Sequence, residues 1–217
     1  MVTFNDLGPS HYKESPSAQE IISSAFKLMM EHFPWVLATG LLYLVISFVL
    51  GYLGILNAIL TTPVSMGFIR LTRDIVKNNE FNSSSLFWFF LDFKRFFRSV
   101  GLGIVLPVLF LIGLIFFVIP GVIVFLDYFW SVPFMALDDS LSIGASLKKS
   151  KQLTQSIGRW FTVKYLMMFV LVASLGVILT LGLGLLIVIP FSFLTILKVM
   201  ETFEGKSTNP SLISIRG

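Results

Sequence analysis

Between Glu31 and Arg70 the chain carries no charged residue, between Arg98 and Asp138 only Asp127, and between Lys164 and Lys198 none. Each block runs for 33 to 39 residues. As one straight helix, a block would measure roughly 50 to 58 Å, nearly twice a ~30 Å hydrocarbon core. No soluble fold needs such stretches, and no single membrane span needs their full length. Each block is therefore expected to fold back on itself. Turn-forming residues lie near the middle of each, at Gly51-Tyr52-Leu53-Gly54, Ile119-Pro120-Gly121 and Leu181-Gly182-Leu183-Gly184. Glycine supplies tight-turn freedom and proline stops a preceding helix.

The pattern predicts an all-α, polytopic integral membrane protein with six transmembrane helices in three hairpins. The expected spans are 34–51, 54–72, 100–118, 121–137, 161–180 and 184–200. A polar segment (1–16) precedes a single membrane domain (17–200, hairpins near 34–72, 100–137 and 161–200), and a polar tail (201–217) follows. The polar start lacks the basic stretch and apolar core of a cleaved leader, so the first apolar block is expected to be retained. Composition agrees, because only 13% of residues are charged and 55% are hydrophobic, against ~25% charged in soluble domains. Disorder needs low hydrophobicity and is excluded. A solvated nucleic-acid-binding domain is not expected despite the sequence pI of 9.4.

Charge also sets orientation. The predicted outer turns hold no Lys or Arg. Arg70, Arg73, Lys77, Lys94, Arg95, Arg98, Lys148, Lys149, Lys151 and Arg159 fall in the two connections on the other side, and Lys13, Lys27, Lys206 and Arg216 fall in the tails. By the positive-inside rule both termini are expected to be cytoplasmic, with Trp35, Trp88 and Trp160 at that interface.

A weak threefold repeat runs through the hairpins. Each second helix contains a proline, at Pro63, Pro133 and Pro190, and each hairpin follows an amphipathic segment. The first segment (18–33) sets Ile21, Ile22, Ala25, Phe26, Met29, Met30 and Phe33 against a polar face, with Ser17 and Glu20 spaced as a capping box. The second (85–98) is aromatic with Asp92, Lys94, Arg95 and Arg98. The third (142–156) opposes Ile143, Leu147 and Leu153 to Lys148, Lys149 and Lys151. Such helices either lie in the interface plane against anionic lipid or pack on the bundle as ordinary loop helices. The residues expected to meet anionic lipid of the cytoplasmic leaflet are Arg70, Arg73, Lys94, Arg95, Arg98, Lys148, Lys149, Lys151 and Arg159.

Asp127 is the candidate for chemistry. Placed about 9 Å beyond the Pro120-Gly121 turn, it falls in a half of the membrane where no Lys or Arg is expected, as a proton or cation site or a shallow carboxyl touching water. Asp138 and Asp139, followed by Ser140 and Ser142, fit a loop or helix start. Arg70 and Asp74 are spaced for an i,i+4 pair, and Lys164 can snorkel to the headgroups. Cysteine is absent, and the two histidines, His11 and His32, have no ligand spacing. No metal, cofactor or catalytic constellation is expected.

From Phe117-Val118-Ile119-Pro120-Gly121-Val122-Ile123-Val124, through Asp138-Asp139, to Ala145-Ser146-Leu147-Lys148-Lys149-Ser150-Lys151-Gln152-Leu153-Thr154 and Gly158-Arg159-Trp160-Phe161, the chain resembles a bacterial superfamily of six-helix membrane proteins. That superfamily includes YciC-type inner-membrane proteins and the membrane domain of some glycerophosphoryl diester phosphodiesterases. The resemblance implies the six-helix fold and supplies no catalytic residue. Asp127 departs from its pattern. The expected role is a non-enzymatic multi-pass protein of the bacterial inner (cytoplasmic) membrane, acting through lipids, a membrane-protein partner or a second copy of itself. The alternative is a transporter, permease subunit or small channel using Asp127.

Overall fold

The structure, a computed structural model, describes residues 17–116, 118–179 and 184–207. These residues form ten helices and no strand: α1 (Ala18–Glu31), α2 (Phe33–Gly51), α3 (Ile55–Asn78), α4 (Ser83–Phe87), α5 (Phe93–Phe116), α6 (Val118–Tyr128), α7 (Ser131–Leu137), α8 (Ile143–Ile157), α9 (Arg159–Leu179) and α10 (Leu185–Ser207). Phe33–Gly51, Phe93–Ile115, Val118–Leu137 and Leu185–Thr202 are long and apolar enough to cross a membrane, and the bent α8–α9 pair raises the number to five if counted as one span. Large apolar side chains point outward along them, among them Leu41, Val45 and Phe48 of α2 and Ile104, Leu111 and Ile115 of α5. Water disfavours such a band and lipid accepts it. The anatomy is that of a multi-pass helical membrane protein. α3 occupies the place expected for the second span but continues to Asn78 with Arg70, Arg73, Asp74 and Lys77 in its second half.

The first block turns where expected. α2 ends at Gly51 and Gly54 takes a φ of 55°, which a side chain would strain. The second turns earlier than expected. α5 ends at Phe116 and α6 begins at Val118, so Pro120 sits in the first turn of α6, where its missing N–H costs nothing. Gly121 serves close approach instead, since a Cβ on Gly113 would lie 2.8 Å from its Cα. The expected third turn falls largely on residues 180–183, outside the described residues.

Of the three amphipathic segments, the third is one continuous helix, and the first is helical to Glu31 and breaks at His32, leaving Phe33 to open α2. Ser17 and Glu20 form the capping box of α1, each bonding to the other's backbone N–H (3.2 and 3.0 Å). Ile21, Ile22, Ala25 and Met29 are buried among residues of α9 and α10, so this face packs on the bundle and not into the acyl region, while Phe26 and Met30 stay exposed. α8 starts at its Ser142 cap, whose hydroxyl accepts from Ala145 N–H (3.2 Å). The segment 85–98 is not one helix. Asn82 caps the short α4, and Asp92 opens α5 by accepting the Lys94 N–H (2.9 Å). A side chain that captures a nearby amide competes with helix continuation. Pro63 and Pro190 lie inside α3 and α10. Pro133 lies in the first turn of α7, and Pro107 inside α5 departs from the threefold pattern.

Candidate functional site

The α6–α7 break gathers most of the buried polarity. Pro133 cannot donate within a helix, and the chain turns at Phe129-Trp130 before α7. An uninterrupted helix would pair Leu126 O with Trp130 N–H and Asp127 O with Ser131 N–H. Instead α8 presents Ser146, Ser150 and Thr154, one turn apart and fully buried. Ser150 Oγ accepts the Trp130 N–H (3.1 Å) and donates to Asp127 O (2.8 Å), and Thr154 Oγ1 donates to Leu126 O (3.2 Å). Ser150 and Thr154 thus repair the break, while Ser146 bonds back to Ile143 O (2.8 Å); of the apolar face read from the sequence, Leu153 is buried and Ile143 and Leu147 pack partly buried against the core.

Asp127 belongs to this seam and is not isolated. Its carboxylate, 7% exposed, is held bidentately by Arg159, with Nε at 2.8 Å from Oδ1 and Nη2 at 2.9 Å from Oδ2. The expectation that no cation reaches Asp127 is corrected on two counts. The start of α6 at Val118 places Asp127 about 14 Å along the span, deeper than the 9 Å read from Pro120-Gly121. Gly158, with a φ of 83°, bends the chain by 92° between α8 and α9 and swings Arg159 onto it. Arg159 is half in solvent or headgroup, with 47% of its side chain exposed. Nearby Trp130 Nε1 donates to Thr162 (3.5 Å) and Tyr165 to Thr195 (3.1 Å). Ser131 Oγ is buried without a hydrogen-bond partner.

A second polar centre joins the connections. Asp139 accepts two bonds from Arg70 (2.5 and 3.3 Å) and bonds at 3.1 Å from Trp88 Nε1. Arg98 donates to Asp139 O and Leu141 O, both at 3.0 Å. Trp88 is flanked by two guanidinium groups, Arg95 at 4.0 Å and Arg70 at 4.7 Å from its ring centre. The expected Arg70–Asp74 pair does not form. Arg70 turns to Asp139, while Asp74 takes Arg73 (3.4 Å) and accepts from the Ser85 hydroxyl. Asp139 lies in the turn between α7 and α8, as expected, and is also the hub of an inter-helix junction. Asp138 does have the expected turn role: it caps the end of α7 and accepts from the Ser140 hydroxyl (2.6 Å) and N–H (3.0 Å). The Ser140 hydroxyl, opposed by partial burial and aided by the Ser140 N–H and Lys149 (3.2 Å), holds the Asp138 carboxyl below the usual carboxylate range.

The residues expected to meet lipid thus divide. Arg70, Arg73, Arg95, Arg98, Lys149 and Arg159 bond to groups within the protein. Lys94, Lys148 and Lys151 are exposed and form no ion pair among the described residues. Beside Lys94 lie the exposed rings of Phe87, Phe90, Phe93 and Phe97, with Leu91. Trp35 and Trp160 are exposed too. Sequence reasoning missed the Asp127–Arg159 and Arg70–Asp139 pairs and the α8 hydroxyls. The spacing of Ser146, Ser150 and Thr154 was the available signal, since small hydroxyl residues at i, i+4 and i+8 mark a close helix contact. Among the described residues no three His, Asp or Glu side chains group as metal ligands.

Set against family models, curated proteins and solved structures, the chain matches none, and nothing in those comparisons indicates the six-helix family that residues 117–161 resemble.

Proposed function

We propose that this chain is a non-enzymatic multi-pass protein of a bacterial cytoplasmic membrane, with six crossings in three hairpins and both termini cytoplasmic. It acts through its contacts with lipid and with membrane-protein partners or a second copy of itself. The observation that carries this reading is the division of the basic residues. Six are consumed in internal bonds, while Lys94, Lys148 and Lys151 remain exposed, with exposed rings next to Lys94. Unpaired lysines with aromatic rings are what an anionic headgroup layer attracts, each basic residue contributing about 1 kcal/mol near the surface.

The test has two arms. Reporter fusions after Gly51, Lys77, Gly121 and Lys149 read topology, and a cytoplasmic signal at Gly121 breaks the three-hairpin arrangement. Native mass spectrometry from bilayer discs of anionic or zwitterionic lipid reads preference. The Lys94→Gln, Lys148→Gln, Lys151→Gln triple variant is expected to lose the anionic preference, and an unchanged preference refutes the reading. The competing transporter reading rests on the buried hydroxyls beside Asp127. It requires Asp127 to exchange Arg159 for a proton or another cation. Ion or proton flux in liposomes that disappears in Asp127→Asn would establish it over ours.

A further inference from the structure

A cleft of about 400 Å³ opens between α1, α9 and α10, within the range of small-ligand sites. Its walls are apolar: Ile22, Phe26 and Met29 of α1, Met168 of α9, and Ile187 and Phe191 of α10. Its polar side chains are Gln19 and Ser23, both in the first half of α1. From Gly184 to Phe191 it follows α10 for about 10 Å. Two of its apolar lining side chains face outward, Phe26 at 53% and Val172 at 38% exposed. One turn before Met168 on α9 stands Lys164, exposed and in no ion pair among the described residues.

We propose that this cleft is a phospholipid site: one acyl chain lies between α9 and α10 beneath α1, and the phosphate meets Lys164 with Gln19 and Ser23 at the polar rim. Three features select this occupant. The cleft is apolar along its length and polar only where α1 begins, which matches a molecule with a long apolar body and a polar end. Its mouth opens on a surface that already faces hydrocarbon, where water has no partners and an acyl chain is the solvent at hand. The unpaired ammonium supplies charge complementary to a phosphate. The site rests on the reading that the protein acts through lipid, but it does not require the anionic preference of the Lys94, Lys148 and Lys151 surface.

The experiment uses the full-length protein in discs of zwitterionic phosphatidylcholine doped with phosphatidylcholine that carries a diazirine in one acyl chain, with labelled residues mapped by peptide mass spectrometry. Met168, Val172 and Val188 are expected to take about tenfold more label than the equally apolar, exposed Leu111 and Ile115 of α5, the ratio for a site favoured by ~1.4 kcal/mol. Val188→Trp, which fills the cleft, is expected to bring Met168 and Val172 to the α5 level, and Leu111→Trp to leave them unchanged. The native protein is expected to retain a phospholipid through detergent washing and Lys164→Gln to release it. Label spread evenly over the exposed faces, or a cleft occupied by cross-links to a second copy, overturns the proposal. The wild-type map decides even if a variant fails to fold. Even labelling alongside an intact anionic preference removes this site alone, whereas a labelled cleft without that preference removes only the reading of the basic surface.

Discussion

Arg159→Gln is expected to cost far more than Asp127→Asn, although the two residues share one ion pair. Asp127 is 7% exposed and Arg159 is 47% exposed, so the partner left behind differs in each case. Removing Arg159 strands a carboxylate in a dry seam. Breaking a fully buried pair from one side costs about 3 to 5 kcal/mol, and the half-solvated guanidinium lowers this to about 2 to 4 kcal/mol. Removing the charge of Asp127 leaves an arginine that can turn to solvent or headgroups, while the asparagine oxygen still accepts, for a cost of about 1 kcal/mol. The double variant is expected to fall near Asp127→Asn, which gives a coupling of about 2 to 4 kcal/mol, the full cost of Arg159→Gln. Equilibrium unfolding by sodium dodecyl sulfate in mixed micelles, followed by tryptophan fluorescence, measures all four corners, with Trp130 next to the pair. Equal single costs, or costs that simply add, refute the assignment of a buried carboxylate clamped by a partly wet arginine.

Ser150→Ala removes an acceptor from Trp130 N–H and a donor to Asp127 O at a fully buried point, so about 2 to 3 kcal/mol is expected, with faster amide exchange at Trp130 as the local readout. Gly40→Ala sets a Cβ 1.9 Å from Leu186 O, whereas Gly51→Ala meets nothing within 4 Å. Thermal unfolding in micelles should therefore show about 1 to 3 kcal/mol lost in the first and almost none in the second. The lowered Asp138 carboxyl stabilises its turn above the ordinary value of 3.8, and that contribution fades as pH falls below it. Between about pH 5 and about pH 3 the melting temperature of the native chain should fall further than that of Ser140→Ala, whose Asp138 carboxyl has less of this contribution to lose; equal falls in the two chains would remove Ser140 as the cause.

The parts of this fold that were legible were those written in local chemistry. The Gly51-to-Gly54 turn, the Ser17–Glu20 capping box and the Ser142 start of α8 each depend on residues within four positions of one another. Pro120 misled because proline reads two ways: it stops a helix behind it and opens one ahead of it, and only the register of the α5–α6 contact at Gly113 and Gly121 distinguishes them. The segment 85–98 misled because its composition suits an amphipathic helix throughout, while the carboxylate of Asp92 captures an amide and restarts the helix.

The candidate site was illegible for a different reason. A charge count along the sequence gives each residue a depth as though every helix were straight, and on that scale Asp127 and Arg159 sit far apart. Two departures from straightness bring them together, the proline-driven break at Phe129-Trp130 and the 92° elbow at Gly158. The same count treats all basic residues alike, yet Arg70 and Arg98 serve the Asp139 junction while Lys94, Lys148 and Lys151 face outward. Arginine's planar fork suits fixed internal acceptors and lysine's flexible stem suits a fluid headgroup layer. Within these connections the choice between the two residue types therefore carries information that net charge does not. Lys149, paired with Asp138, marks the limit of that distinction, being a lysine drawn inward by a carboxylate that also serves the adjoining turn.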